Sequence, residues 1–142
     1  PESDTARKLA RYRALTAAMG DNLVASAHDC SDGGLAAAVA ECCFGADAGA
    51  SVDIAGIMGD CTQIDAWGAL FGESLGRILV SVEPQHCEAF EAALEGHACY
   101  ALGEVEAGEQ ISISNGGEAI LSASMPRLRA AWKGALDGGG PQ

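Results

Sequence analysis

Helical and extended periodicities alternate along this chain, and glycine stands at nearly every change. Such alternation excludes all-helical and all-strand architectures and requires a layered fold that mixes both. Residues 3 to 19 place Leu9, Tyr12, Leu15 and Met19 at helical spacing, with Ser3 or Asp4 as candidate cap and Gly20 as stop. The apolar run Leu23 to Ala27 reads as a buried strand, and a helix with Leu35, Val39, Cys42 and Cys43 on its inner face follows. Gly45 and Gly49 end that helix before a strand at Ala50 to Ile54. Gly56 to Asp60 reads as a loop, Ile64, Trp67 and Phe71 mark a third helix, and Arg77 to Val82 forms a second buried strand. Pro84 opens a helix with Cys87, Phe90 and Leu94 on one face, ending at Gly96.

Three strands then follow at Cys99 to Val105, Gln110 to Ser114 and Glu118 to Ser122, the last two joined by the hairpin turn Asn115-Gly116-Gly117. A final helix starts near Ser124 and Pro126, with Leu128 and Trp132 inward. The expected fold is α+β, a layered α/β sandwich whose mixed sheet is covered by helices. Residues 1–137 are expected to form one domain and 138–142 a disordered tail, and a chain that begins at Pro1 suggests a piece of a longer polypeptide.

Charge narrows the function classes. The chain carries 20 acids against eight basic residues, for a formal net charge of -12. The bases cluster at Arg7, Lys8, Arg11 and Arg13 and at Arg127, Arg129 and Lys133, with only Arg77 between them. There is no basic stripe to neutralise a phosphodiester backbone, so nucleic acid is not an expected partner. The basic N-terminal segment is either a solvated helix face or a contact with an acidic neighbour. No apolar run reaches 18 residues and no signal-like segment opens the chain, so no membrane partner is expected and the expected location is the cytoplasm. The six cysteines show no CxxC or zinc-like spacing, and Cys42, Cys43, Cys87 and Cys99, at apolar-periodic positions, read as small core hydrophobes in a reducing compartment. Cys30 alone sits in a loop where reactivity merits a test.

Two segments could carry chemistry. In the first, His28-Asp29-Cys30-Ser31-Asp32-Gly33-Gly34-Leu35, a strand feeds a helix through acids, a serine and paired glycines. Glycines in a first helical turn cost stability, so the position demands positive φ or close approach of the backbone. A phosphate on the helix-start amides would satisfy that demand, and so would an Asp or Ser cap with tight helix packing. In the second, Leu70-Phe71-Gly72-Glu73-Ser74-Leu75-Gly76-Arg77, Glu73 could meet a metal or a ligand hydroxyl. Arg77 could clamp a phosphate or carboxylate, or pair with a nearby acid. His28 as a base oriented by Asp29 is disfavoured, because neighbours on a strand point to opposite faces.

Together these segments resemble the C-terminal domain of the synthetase subunit of phosphoribosylformylglycinamidine synthase. That subunit shares a superfamily with aminoimidazole ribonucleotide synthetase, selenophosphate synthetase and a hydrogenase maturation factor. The resemblance spans nearly the whole chain and includes Gly103-Glu104-Val105 and the closing hairpin and helix. It implies the aminoimidazole ribonucleotide synthetase C-terminal fold and a part in ATP-dependent amidine formation in purine biosynthesis, with ammonia derived from glutamine. ATP and Mg²⁺ are the implied cofactors of the full-length enzyme, with neither tightly bound by this piece. The implied partners are preceding domains of the same polypeptide, a glutaminase component and a small-molecule substrate.

In the family, the catalytic histidines lie in the preceding domains, so no catalytic residue is expected here and the piece alone is expected to be inactive. Asp29 matches an aspartate that serves Mg²⁺, and Glu73 and Ser74 match the start of a Glu-Ser-Gln segment that serves substrate, with Leu75 where glutamine would stand. Ser31, Asp32, Gly33, Gly34 and Arg77 complete the candidates for substrate or phosphate. The enzyme is internally duplicated, and this sequence resembles its second copy. It is then either a wall of the active cleft, contributing Asp29, Glu73, Ser74 and Arg77, or a scaffold that braces the first copy.

Overall fold

The computed structural model describes residues 2–46, 48–60 and 63–136. Cys61 and the predicted tail at 138–142 lie outside these residues. The chain divides into two compact units, one from residues 1–30 and 74–100 and the other from residues 31–73 and 101–142.

In the first unit, α1 (Glu2–Gly20) and α5 (Cys87–Ala93) pack with a two-stranded antiparallel ribbon of β1 (Ser26–Asp29) and β3 (Ile78–Ser81). Ser3 and Asp4, expected as caps, lie inside α1. The register pairs Ala27 with Val80 and Asp29 with Ile78. Leu15 and Ala18 of α1 meet Phe90 and Leu94, and Ile78, Val80 and Val82 add the apolar face of the ribbon. That period of two is what a strand covered on one side requires.

The strand expected at Leu23 to Ala27 is displaced toward Asp29, and the reason lies in α1. The Leu23 amide donates to the Ala18 carbonyl at 3.0 Å, and Asn22 adopts φ 59°, so the end of α1 captures this segment as a turn. Leu23 and Val24 therefore reach the core from a turn, and β1 itself is largely exposed. Pro84–His86 forms a single 3₁₀ turn before α5, as a proline at a helix start favours.

In the second unit, a four-stranded mixed sheet runs in the order β4 (Gly103–Glu106), β2 (Gly49–Asp53), β5 (Gln110–Asn115), β6 (Glu118–Ser124). β2 is parallel to β5 and antiparallel to β4, and β5 and β6 form the expected hairpin. α2 (Gly34–Ala46), α3 (Ala55–Asp60), α4 (Ala66–Phe71) and α6 (Met125–Leu136) complete this unit. Leu35, Val39 and Cys43 of α2 are buried, as are Val52, Ile111 and Ile113 of the sheet. The result is the mixed α+β fold anticipated from periodicity.

Several local expectations need correction. Gly56 to Asp60 is helical, because the Ala55 amide donates to Asp53 Oδ1 at 2.8 Å and the Met58 amide closes the first turn onto the Ile54 carbonyl. The strand expected from Cys99 begins only at Gly103, and Cys87 and Cys99 are exposed rather than core residues. Cys42 is half-buried, while burial of Cys43 fits the expectation, and burial pushes both thiols up from their ordinary pKa. Cys30 is buried too, which removes it from easy reach of a reagent. Trp132, expected to face inward, is 52% exposed, with its ring 6.0 Å from that of Phe44.

Candidate functional site

The candidate residues fall in both units, with Asp29, Ser74 and Arg77 in the first and Ser31, Asp32, Gly33, Gly34 and Glu73 in the second. In the second unit the two motifs meet. Glu73 Oε1 accepts the Gly33 amide at 3.0 Å, so a carboxylate sits on the start of α2, where backbone donors and the helix dipole favour negative charge. The Gly34 amide donates to the Ser31 carbonyl at 3.0 Å and turns the chain into the helix.

Both glycines have positive φ, 77° for Gly33 and 64° for Gly34. A Cβ on Gly34 would stand 2.7 Å from the Leu70 carbonyl oxygen and 2.8 Å from that of Gly72. Gly34 thus lets α2 begin directly against the end of α4, while a Cβ on Gly33 would stand 2.8 Å from Ala37 Cβ. Asp65 fixes the other end of α4 by accepting the Gly68 amide at 2.7 Å. Ser31, Asp32 and Glu73 are exposed beside this junction, while Gly34 is buried.

In the first unit, the ribbon brings Asp29 and Arg77 to its end. Asp29 pairs with Ile78, and the Cys30 amide donates to the Arg77 carbonyl at 2.9 Å. Asp29 and Ser74 are exposed and Arg77 is half-buried. The Nε of Arg77 is enclosed without a hydrogen bond among the described residues, although the residue has other interactions in the fold. Arg11 of α1 donates to the Gly76 carbonyl at 2.9 Å and anchors the turn before Arg77. Leu75, at the position where the resembled motif carries glutamine, is 89% exposed.

Sequence reasoning missed a carboxylate that accepts four hydrogen bonds. Asp53, at the end of β2, accepts the Ala55 and Gly116 amides on Oδ1, at 2.8 and 3.0 Å. Its Oδ2 accepts the Gly117 amide at 3.0 Å and the Ser114 hydroxyl at 2.9 Å. These donors, the backbone amides foremost, hold its pKa down at about 2. The signal was an aspartate between a strand and a helix start, together with a Gly-Gly turn whose amides need acceptors.

The cofactor fit can be tested on these groups. Among the described residues, no three His, Cys, Asp or Glu side chains converge as a metal cage. Mg²⁺ commonly takes only one or two carboxylates and completes its shell with water and phosphate, so exposed Asp29 suits a single ligand position. The start of α2 suits phosphate less well, because the Glu73 carboxylate already occupies the Gly33 amide and Asp32 stands beside it.

A mixed sheet layered with helices defines an α+β domain. Residues 1–114 match the AIR synthase related protein, C-terminal domain family, and the chain belongs to that family. Among solved structures it is similar to Thermotoga maritima PurL complexed with ATP, with a TM-score of 0.72 and 19% identity over 82% of this chain and 20% of that one. T. maritima PurL complexed with FGAR aligns with the same TM-score and coverage at 21% identity. Hydrogenase maturation protein HypE in complex with ATP is similar at a TM-score of 0.56 and 19% identity, over 75% of this chain and 38% of that one. This chain thus spans about a fifth of the length of the PurL chains. Among the described residues, no helix is long and apolar enough to cross a membrane.

Proposed function

We propose that residues 1–137 act as a C-terminal domain of an ATP-dependent, amidine-forming synthetase of the phosphoribosylformylglycinamidine synthase type. The observation that carries this reading is the contact between its two motifs, the Gly33 amide on the Glu73 carboxylate, within a fold shared with PurL. The full-length enzyme would convert formylglycinamide ribonucleotide and glutamine-derived ammonia to the amidine, alongside a glutaminase component, in the cytoplasm. When bound there, ATP and Mg²⁺ supply the activating phosphoryl group and neutralise its charge. Asp29, exposed at the end of β1, would offer Mg²⁺ a carboxylate. Ser31, Asp32, Ser74 and Arg77 are candidates for polar contacts to substrate or phosphate.

A second reading makes this domain a scaffold, and two observations favour it. Glu73 is engaged in capping α2, and Leu75 offers solvent an apolar side chain where a polar contact would be needed. The discriminating experiment is ammonia-dependent ADP release by the full-length polypeptide, comparing wild type with Asp29→Ala, Glu73→Ala and Arg77→Ala while Tm is followed. A turnover loss of about several hundredfold in Asp29→Ala or Arg77→Ala at constant Tm, or in Glu73→Ala with only the small Tm loss of its missing helix cap, supports the active-cleft role. Near-normal turnover with lowered Tm supports the scaffold. Wild type that releases no ADP with formylglycinamide ribonucleotide sinks the assignment.

A further inference from the structure

An Asn or Asp followed by glycine is the backbone bond most open to succinimide chemistry, because glycine has no side chain to shield its nitrogen from the preceding side-chain carbonyl. Among the described residues this pairing occurs at Asp32-Gly33 and Asn115-Gly116. In both, the fold gives the glycine N–H to a carboxylate remote in sequence. Gly33 donates to Glu73 Oε1 and Gly116 to Asp53 Oδ1, each at 3.0 Å. Asn115 is the more reactive of the two, since an ionised carboxylate resists nucleophilic attack and a carboxamide does not. It lies half-buried at the end of β5, paired with Glu118 across the hairpin. Gly116 and Gly117 form the turn with φ 60° and 84°, and the Gly117 amide donates to Asp53 Oδ2 at 3.0 Å.

Cyclisation works against this arrangement. The Gly116 nitrogen must lose its proton and attack Asn115 Cγ, forming the N–Cγ bond as the Cγ–Nδ2 bond breaks and ammonia leaves with that proton. Water then opens the succinimide at either carbonyl, giving aspartate or isoaspartate. A carboxylate on the Gly116 N–H disfavours the amide anion by its charge and ties the nitrogen into the turn. Held at a pKa of about 2, Asp53 is too weak a base to take the proton itself. We propose that Asn115 is a deamidation site gated by Asp53, protected while the turn rests on this carboxylate and converted when the turn opens. Conversion then records the time the β5–β6 hairpin spends open, and isoaspartate lengthens the backbone by a methylene group where Asn115 pairs with Glu118.

The test incubates the 142-residue chain in mildly alkaline buffer, folded or in about 6 M guanidinium chloride, and follows amide-to-acid conversion and isoaspartate at residue 115 by mass spectrometry of digests. Folded wild type should convert at least about tenfold more slowly than the denatured chain, and Asp53→Asn should speed the folded-state rate by about tenfold. Arg129→Met, which removes the bond from α6 to the Phe44 carbonyl in the same unit, should leave that rate near wild type. Equal rates in folded and denatured wild type overturn the proposal, as does an Asp53→Asn variant that folds and converts no faster. Equal acceleration by Arg129→Met and Asp53→Asn overturns it in favour of unfolding of the whole unit. Should Asp53→Asn lose its cooperative melt, hydrogen exchange on wild type decides, since a Gly116 amide that exchanges as in the denatured chain overturns the gate.

Discussion

Glu73 and Gly33, 40 residues apart in sequence, are joined by a 3.0 Å hydrogen bond that places a carboxylate on the amide just before α2. The bond ties the two chemistry-bearing segments together and satisfies a donor that the helix cannot satisfy itself. Glu73→Ala should cost about 0.5–1 kcal/mol in urea denaturation, the usual worth of an exposed helix cap and its charge. Glu73→Gln keeps an acceptor and should recover part of that loss. Equal stability of Glu73→Ala and wild type would sink the capping role.

Gly34 makes a sharper prediction, because two backbone carbonyls bar its side chain. With φ 64° and a Cβ position 2.7 Å from the Leu70 oxygen, Gly34→Ala has to move the end of α4 or the start of α2. The expected cost is about 3 kcal/mol or failure to fold, since strain and displacement add. Gly96→Ala is the control, with φ 79° but open space around it, and should cost only about 1 kcal/mol. A comparable loss at both glycines would rule out close packing as the reason for glycine at 34.

Periodicity made the fold class legible, because the apolar faces of α2, β3 and α5 each answer to one nearby core. It failed where local hydrogen bonds overrode pattern. Leu23 and Val24 look like the start of a strand, yet the end of α1 takes them as a turn. Gly56 to Asp60 looks like a loop, yet Asp53 starts a helix there by accepting the Ala55 amide. The glycine pair at 33 and 34 announced a constraint on the backbone. That the constraint is the approach of α4, with Glu73 as the anion, depends on residues about 40 positions away and has no local sequence signal. Cys87 and Cys99 matched an apolar period but are exposed.

Arg129 of α6 closes the far end of α2. It donates to the Phe44 carbonyl at 2.9 Å and stands 5.6 Å above the Phe44 ring. A cation at a helix C-terminus meets both the unpaired carbonyl and the negative end of the dipole. Arg129→Met, which keeps much of the apolar stem, should cost about 1–2 kcal/mol by chemical denaturation. Arg129→Lys should lose less, because the point charge survives while the flat guanidinium contact does not. A neutral Arg129→Met would show that the packing of Trp132 on Phe44 suffices to hold α6.

Asp53 gives the chain a predictable acid sensitivity. Its folded pKa of about 2 lies below its ordinary value of 3.8, so the ionised carboxylate is favoured by the folded chain. The unfolded state then binds the proton more readily, and stability must fall as pH drops. The contribution is fully present above the ordinary value, declines as pH falls below it, and is gone once pH passes the folded value near 2. Asp53→Asn can still offer an oxygen to some of the same donors but has no charge to titrate. It should unfold at lower urea than wild type at neutral pH, and the gap should shrink between about pH 4 and pH 2 as wild-type Asp53 protonates. Urea midpoints across that range decide the matter, since a gap that stays constant with pH would mean the β5–β6 turn is held by geometry and not by the charge on Asp53.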